Sequence, residues 1–225
     1  MVAFDAVAST SFQGVTSASV NLTASGSDRV AVASIGTLPA AASVSSVTYG
    51  GAGMTLIDTE TNTTLDGSAN LFRYVAPATS SQSCQVNFAA AAYGGFGVMS
   101  FTGVDQTTPV SNFNGAQGNG LPTATVTVTS AIGEMGGDSL CTYFTGSAPT
   151  TGAGQTLRFH QSDAFGDRGA GSTEAGASSV TMSWTGIGGS EYWAITAASL
   201  KEATGGGAAT SLLIPSNPMA HMLIR

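Results

Sequence analysis

Thr123–Ser130 reads TATVTVTS. Val126 and Val128 fall on one side of an extended chain, and Thr125, Thr127 and Thr129 on the other. A strand sends successive side chains to opposite faces, so this run describes a sheet with one dry and one wet face. The pattern repeats on both sides of it. Ser178–Thr185 (SSVTMSWT) groups Val180, Met182 and Trp184, and Glu191–Leu200 (EYWAITAASL) groups Trp193, Ile195 and Ala197. Toward the N-terminus, period-two or short apolar runs occupy Arg29–Ile35, Ser45–Tyr49, Met54–Asp58, Asn70–Ala76, Gln82–Ala89 and Gly94–Val104. Ser139–Thr145 and Thr156–Gln161 complete the series. Gly, Ser, Asn and Pro separate the runs, as turns require. Ten or more such strands predict an all-β protein, a two-sheet antiparallel sandwich of jelly-roll type.

Composition agrees. Charged residues make up 8% of the 225-residue chain, against roughly 25% in an ordinary soluble domain. Ser and Thr supply the missing polarity, and the 30 glycines supply turns. Long helices are excluded because Glu and Lys are scarce. Leu38–Val44 (LPAAASV) is alanine-rich but short and opens on Pro39, so it predicts a single turn at most. Ala89–Ala92, next to Tyr93-Gly94-Gly95, reads as a strand end followed by a loop.

The net charge is −7, and the six basic residues, Arg29, Arg73, Arg158, Arg168, Lys201 and Arg225, are dispersed. No polybasic run exists to neutralise phosphates or anionic lipid, so neither nucleic acid nor a membrane is an expected partner. No apolar stretch approaches the length of a membrane span. The opening MVAFDAVAST lacks a basic region followed by an apolar one, which argues against a secretory signal and for synthesis in a reducing cytoplasm. Cys84 and Cys141 each sit in a strand-like run, where a buried free thiol is expected.

Composition breaks at Ala203. The sequence predicts a body over residues 1–202, a Gly-rich linker over 203–210 and an apolar docking arm over 211–225. The arm carries Leu212, Leu213, Ile214, Met219, Met222, Leu223 and Ile224, with Pro215 and Pro218 forbidding one continuous helix. Burying these seven side chains is worth ~1.5–3 kcal/mol each. Ordering the segment costs ~1–2 kcal/mol per residue, which cancels much of that gain. Docking, on the chain's own body or on a partner, therefore requires backbone pairing or repetition in an assembly. The wet faces point the same way: edge strands usually carry lysine or proline against edge-to-edge pairing, and this chain has one lysine, Lys201.

Candidate chemistry is thin. Gly137-Asp138-Ser139-Leu140 spells GDSL, the nucleophile block of an esterase family whose DxxH block supplies the base. Neither His160 nor His221 follows an aspartate at that spacing, so Ser139 lacks a base and no enzyme activity is expected. Cys84, Cys141, His160 and His221 lack zinc spacing. The acidic loops around Asp58, Glu60, Asn62 and Asp66, and around Asp163 and Asp167, could offer calcium oxygens but lack the EF-hand pattern. No cofactor or metal is expected. Trp184 with Trp193 and Tyr192, and Tyr93 with Phe96, could stack on sugars if exposed, although in strands such residues are ordinarily core.

The order of blocks has a counterpart. SGSDRVAVASIG at 25–36, VSSVTYGGAGMTLI at 44–57 and LFRYVAPATSSQSCQVNF at 71–88 are followed by GVMSFTGVDQTTPV at 97–110 and EYWAITAASLKEA at 191–203. Together they resemble a β-sandwich module of tailed-bacteriophage virion proteins and of phage-like or bacterial surface proteins. The resemblance implies a virion structural protein made in the host cytoplasm: a capsid decoration, cement or head-spike protein. Its partners would be the major capsid or other virion proteins and further copies of itself. It also leaves open a tail-fibre or adhesin module that binds glycans. It implies no catalytic residues.

Overall fold

A computed structural model describes residues 1–143, 146–188 and 191–204. The first half of the chain forms β1 (Ala3–Leu22), β2 (Val30–Leu38), β3 (Val44–Tyr49), β4 (Ala52–Gly53), β5 (Thr55–Asn62), β6 (Gly67–Val75) and β7 (Gln82–Thr102). The second half forms β8 (Val110–Asn119), β9 (Thr123–Thr129), β10 (Met135–Tyr143), β11 (Thr150–Thr151) and β12 (Thr156–Ser162). It ends with β13 (Asp167–Ala175), β14 (Ser179–Thr185) and β15 (Tyr192–Leu200). A 3-10 turn at Ala40–Ala42 is the single turn expected after Pro39.

Every ladder is antiparallel, and the expected all-β sandwich is present twice over. In the second half, a five-stranded sheet ordered β12-β13-β10-β15-β8 packs on a three-stranded sheet ordered β11-β14-β9. Leu140, Ile195 and Ala197 from the first meet Val126, Met182 and Trp184 from the second. The first half makes both layers from one sheet. Its strands run β5-β6-β2-β7-β1 across one layer, and the long β1 and β7 then bend over to form a second layer with β3 and β4. Gly14 takes φ 65° at the bend of β1, and the β1–β7 ladder slips twice between Gln13 and Ser17. Ala31, Ala33, Ile35 and Phe96 in one layer thereby meet Leu22, Val47, Tyr49 and Val86 in the other.

The two halves share one topology, residue by residue. Val30 lies between Val75 and Phe101, and Met135 between Ala175 and Leu200. Ile35 lies between Asn70 and Phe96, and Leu140 between Ala170 and Ile195. Even the irregularities coincide. β5 slips against β6 between Leu56 and Asp58, and β12 slips against β13 between Leu157 and Phe159. β1 slips beside Phe101 and leaves Asp5 out of the ladder; β8 slips beside Leu200 and leaves out Ser111.

The five-stranded layers of the two halves pack face to face. Val30, Val32, Leu71, Met99 and Phe101 meet Phe159, Ala198 and Leu200, and Ala69 meets Cys141 and Ala194. Central strands such as β2 are consequently buried on both faces.

Both cysteines are free and buried. Burial pushes the Cys84 thiol up to about 12 and raises that of Cys141 as well. Since the thiolate is the reactive form, neither should react with a thiol-specific reagent in the native protein, and both should react in denaturant. Rapid labelling of either in the native state would contradict this packing.

Candidate functional site

β6 puts Arg73 one strand in from the edge, opposite Thr55. Where β5 slips, Ile57 drops out of the ladder, and where β8 slips, so does Ser111. Ile57, Arg73 and the start of β8 (Val110, Ser111, Asn112 and Phe113) line an open cleft of about 310 Å³ between the two halves. Phe113 is 52% exposed there. Ser111 Oγ donates to Glu134 Oε2 at 2.8 Å, so that hydroxyl is held. No hydrogen-bond or ion-pair partner of the Arg73 guanidinium occurs among the described residues.

The equivalent place on the other side of the molecule is filled. There Arg158, at the slip of β12, lies over the Phe4 ring at 3.7 Å, and its Nε donates to Thr173 Oγ1 at 2.7 Å. Thr173 occupies the position equivalent to Arg73. One side therefore has a cation stacked on an aromatic ring of the opposite half, and the other has a half-buried cation lining an open cleft beside apolar side chains. Such a cleft can hold an anionic group with an apolar neighbour.

The sequence-derived candidates are placed elsewhere. Ser139 is fully buried in β10, its Oγ unpartnered, while His160 faces Arg168 Nη1 at 3.2 Å. Burial and the Arg168 charge both lower the His160 pKa. Asp138 Oδ2 accepts from Trp184 Nε1 at 2.6 Å, and Oδ1 from Ser172 N at 2.6 Å. That aspartate is a core hub. Of the acidic loops, Asp163 Oδ1 caps the backbone N–H of Phe165 at 2.8 Å and of Asp167 at 3.0 Å. Burial first, and then the Asp163 charge, push the Asp167 carboxyl up to about 6. Asp58 accepts from Thr196 Oγ1 at 2.6 Å, and Asn62 ties the halves through Gly118 O and Trp193 O, each at 3.1 Å. No group of three or more metal-ligating side chains occurs among the described residues. Trp184 and Trp193 are buried in the second half's core, so neither can serve as a sugar platform.

The arm residues Leu212, Leu213, Ile214, Met219, Met222, Leu223 and Ile224 lie outside the described residues. Sequence reading missed the Arg73 cleft because Phe113 sits in VSNFNGAQGN, which has no apolar alternation. The arginine inside the apolar run LFRYV was the one signal available. No protein-family model, curated protein or solved structure matches the chain.

Proposed function

We propose that the protein is a structural component of a virion, a capsid decoration protein of the tailed-phage kind, which binds neighbouring subunits by pairing backbone with backbone. The observation behind this reading is the character of the edges. β1 is a 20-residue edge strand whose only charged residue is Asp5. Its counterparts β8 and β9 are also edge strands and carry no charge at all. Edges normally carry lysine, proline or inward charge because an open row of N–H and C=O groups recruits other strands. These edges invite such recruitment. Residues 211–225, apolar and punctuated by proline, suit the complementary role of an added extended segment from a neighbouring copy.

Two variants test the reading. Deleting 211–225 should lower self-association, or binding to particles, at least tenfold. So should Thr125→Lys combined with Thr127→Lys, two exposed positions on β9, with melting temperature unchanged in both. Sedimentation of purified protein, alone and with particles, measures the effect. Full retention of binding by both variants would refute the proposal.

A further inference from the structure

The correspondence between the halves extends to how they meet. β2 packs on β10, its own equivalent. The contact of β2 with β13 has its counterpart in that of β10 with β6, and β7 with β13 in β15 with β6. In the same way, β1 on β12 answers to β8 on β5, and β7 on β12 to β15 on β5. Contacts that occur in such reciprocal pairs define an isologous interface, the kind made by two identical subunits about a two-fold axis. The axis passes through a point that can be named. Val104 and Glu202 form an antiparallel bridge, and Ala203 N donates to Gly103 O at 2.8 Å. Gly103 and Val104 leave β7 as Glu202 and Ala203 leave β15, so these equivalent residues pair with one another.

Smaller features obey the same relation. Ala76 N donates to Arg29 O, and Gly176 N to Glu134 O, both at 2.9 Å. Beside the slip of β1, Asp5 Oδ2 accepts from Ser100 Oγ at 2.7 Å. Beside the slip of β8, Glu134 Oε2 accepts from the equivalent Ser199 Oγ at 2.8 Å.

We infer that residues 3–102 and 110–200 are two copies of one sandwich module, and that the face between them is a homodimer interface made intramolecular by the connection at 103–109. The module's partner is a second copy of itself. Large side chains on one copy stand where the other has small ones. Val32, Leu71 and Met99 correspond to Gly137, Gly171 and Ala198, a divergence that covalent linkage permits and a true homodimer does not. The inference is independent of any virion role, since it concerns only how the halves are joined.

The connection should therefore be dispensable for the fold. Thr107 and Thr108 are exposed, and a protease site inserted between them in the full chain allows the connection to be cut after folding. The cut protein is expected to keep its native mass and strand spectrum. Its unfolding midpoint should depend on protein concentration, rising as concentration rises, and more steeply than that of the uncut protein. A circular permutant that starts at Thr108, joins Arg225 directly to Met1 and ends at Thr107 should fold with the native spectrum. Three outcomes would overturn the inference: halves that separate as folded monomers on cutting, a cut protein whose midpoint ignores concentration, or collapse of both the cut protein and the permutant.

Discussion

Asp138→Ala is expected to remove most of the stability of the second half of the chain, by roughly 3–5 kcal/mol, because buried donors left without acceptors cost ~1–3 kcal/mol each. The Asp138 carboxylate receives Trp184 Nε1 from the facing layer and both Ser172 N and Ser172 Oγ from the neighbouring strand. The equivalent position in the first half is Ala33, within an apolar core. Burial outweighs the three donors and pushes the Asp138 carboxyl up to about 7 from its ordinary 3.8. The folded state thus holds a proton that the unfolded state has released. Stability is greatest below about pH 4 with respect to this group, falls by ~1.4 kcal/mol per pH unit on the way to pH 7, and stays low above. Asp167, pushed up to about 6, adds to the fall over the lower part of that window. In Asp138→Asn the Asp138 share disappears and the Asp167 share remains. Both tryptophans lie in the second half, so their fluorescence follows that half alone in urea melts while circular dichroism follows the whole. Equal pH slopes in wild type and Asp138→Asn would show that Asp138 is ionised in the fold.

Gly169→Ala should be the next most damaging change, costing ~3 kcal/mol, at the upper end of core overpacking, and lowering the melting temperature by ~6–12 °C. A Cβ at Gly169 would overlap the Gly95 backbone, and one at Gly95 would come within 2.8 Å of Gly169 N. At Gly36 it would lie 2.8 Å from Arg168 O, Gly169 Cα and Leu140 O. None of these three has a left-handed φ. They are glycines for space, where the halves approach backbone to backbone and neither main chain can yield. The equivalent triad at the opposite end of the interface is Cys141, Ala194 and Ala69, which fill the gap with side chains. Ala69→Gly there should cost only about 1 kcal/mol, the backbone-entropy penalty of glycine. Calorimetric melts of the two variants make the comparison. A Gly169→Ala protein melting within ~2 °C of wild type would contradict the close approach.

Where one face is dry and the other wet, the sequence declared the fold. In β9 the buried residues are Ala124, Val126 and Val128, with Thr125, Thr127 and Thr129 exposed, as the alternation of TATVTVTS requires. Where both faces are covered, alternation carries no information. β13 (DRGAGSTEA) is largely buried on both faces between layers, and its glycines are set by contact distance. β8 lacks alternation although it is largely exposed, because its glycines lie beneath other side chains: Gly118 under the Trp193 ring and Gly115 under Glu60. Ala89–Ala92 reads as a strand end followed by a loop, yet β7 runs through it unbroken: β1 pairs with β7 on either side, at Ala92 and again from Asn87, and a bend replaces the turn used in the second half. The duplication was hidden for a related reason. What the halves hold in common is register and slip position, while the residues at equivalent places have changed class, as Ala33 and Asp138 have. The Arg73 cleft lies where Ile57 and Val110 stand in the places that Arg158 and Phe4 take on the other side, a comparison that requires the paired structure.

β15 has a mechanical consequence. It is gripped along its length by β10 on one side and β8 on the other, and the chain leaves it at Lys201–Thr204, where Ala203 is tied to Gly103 at the end of β7. Tension applied lengthwise through Thr204 would load two ladders in shear at once, so their bonds would have to break together and could not peel in turn. A tether attached beyond that point would hang from a strand held on both sides, with part of the strain passed across the axis to the opposite half.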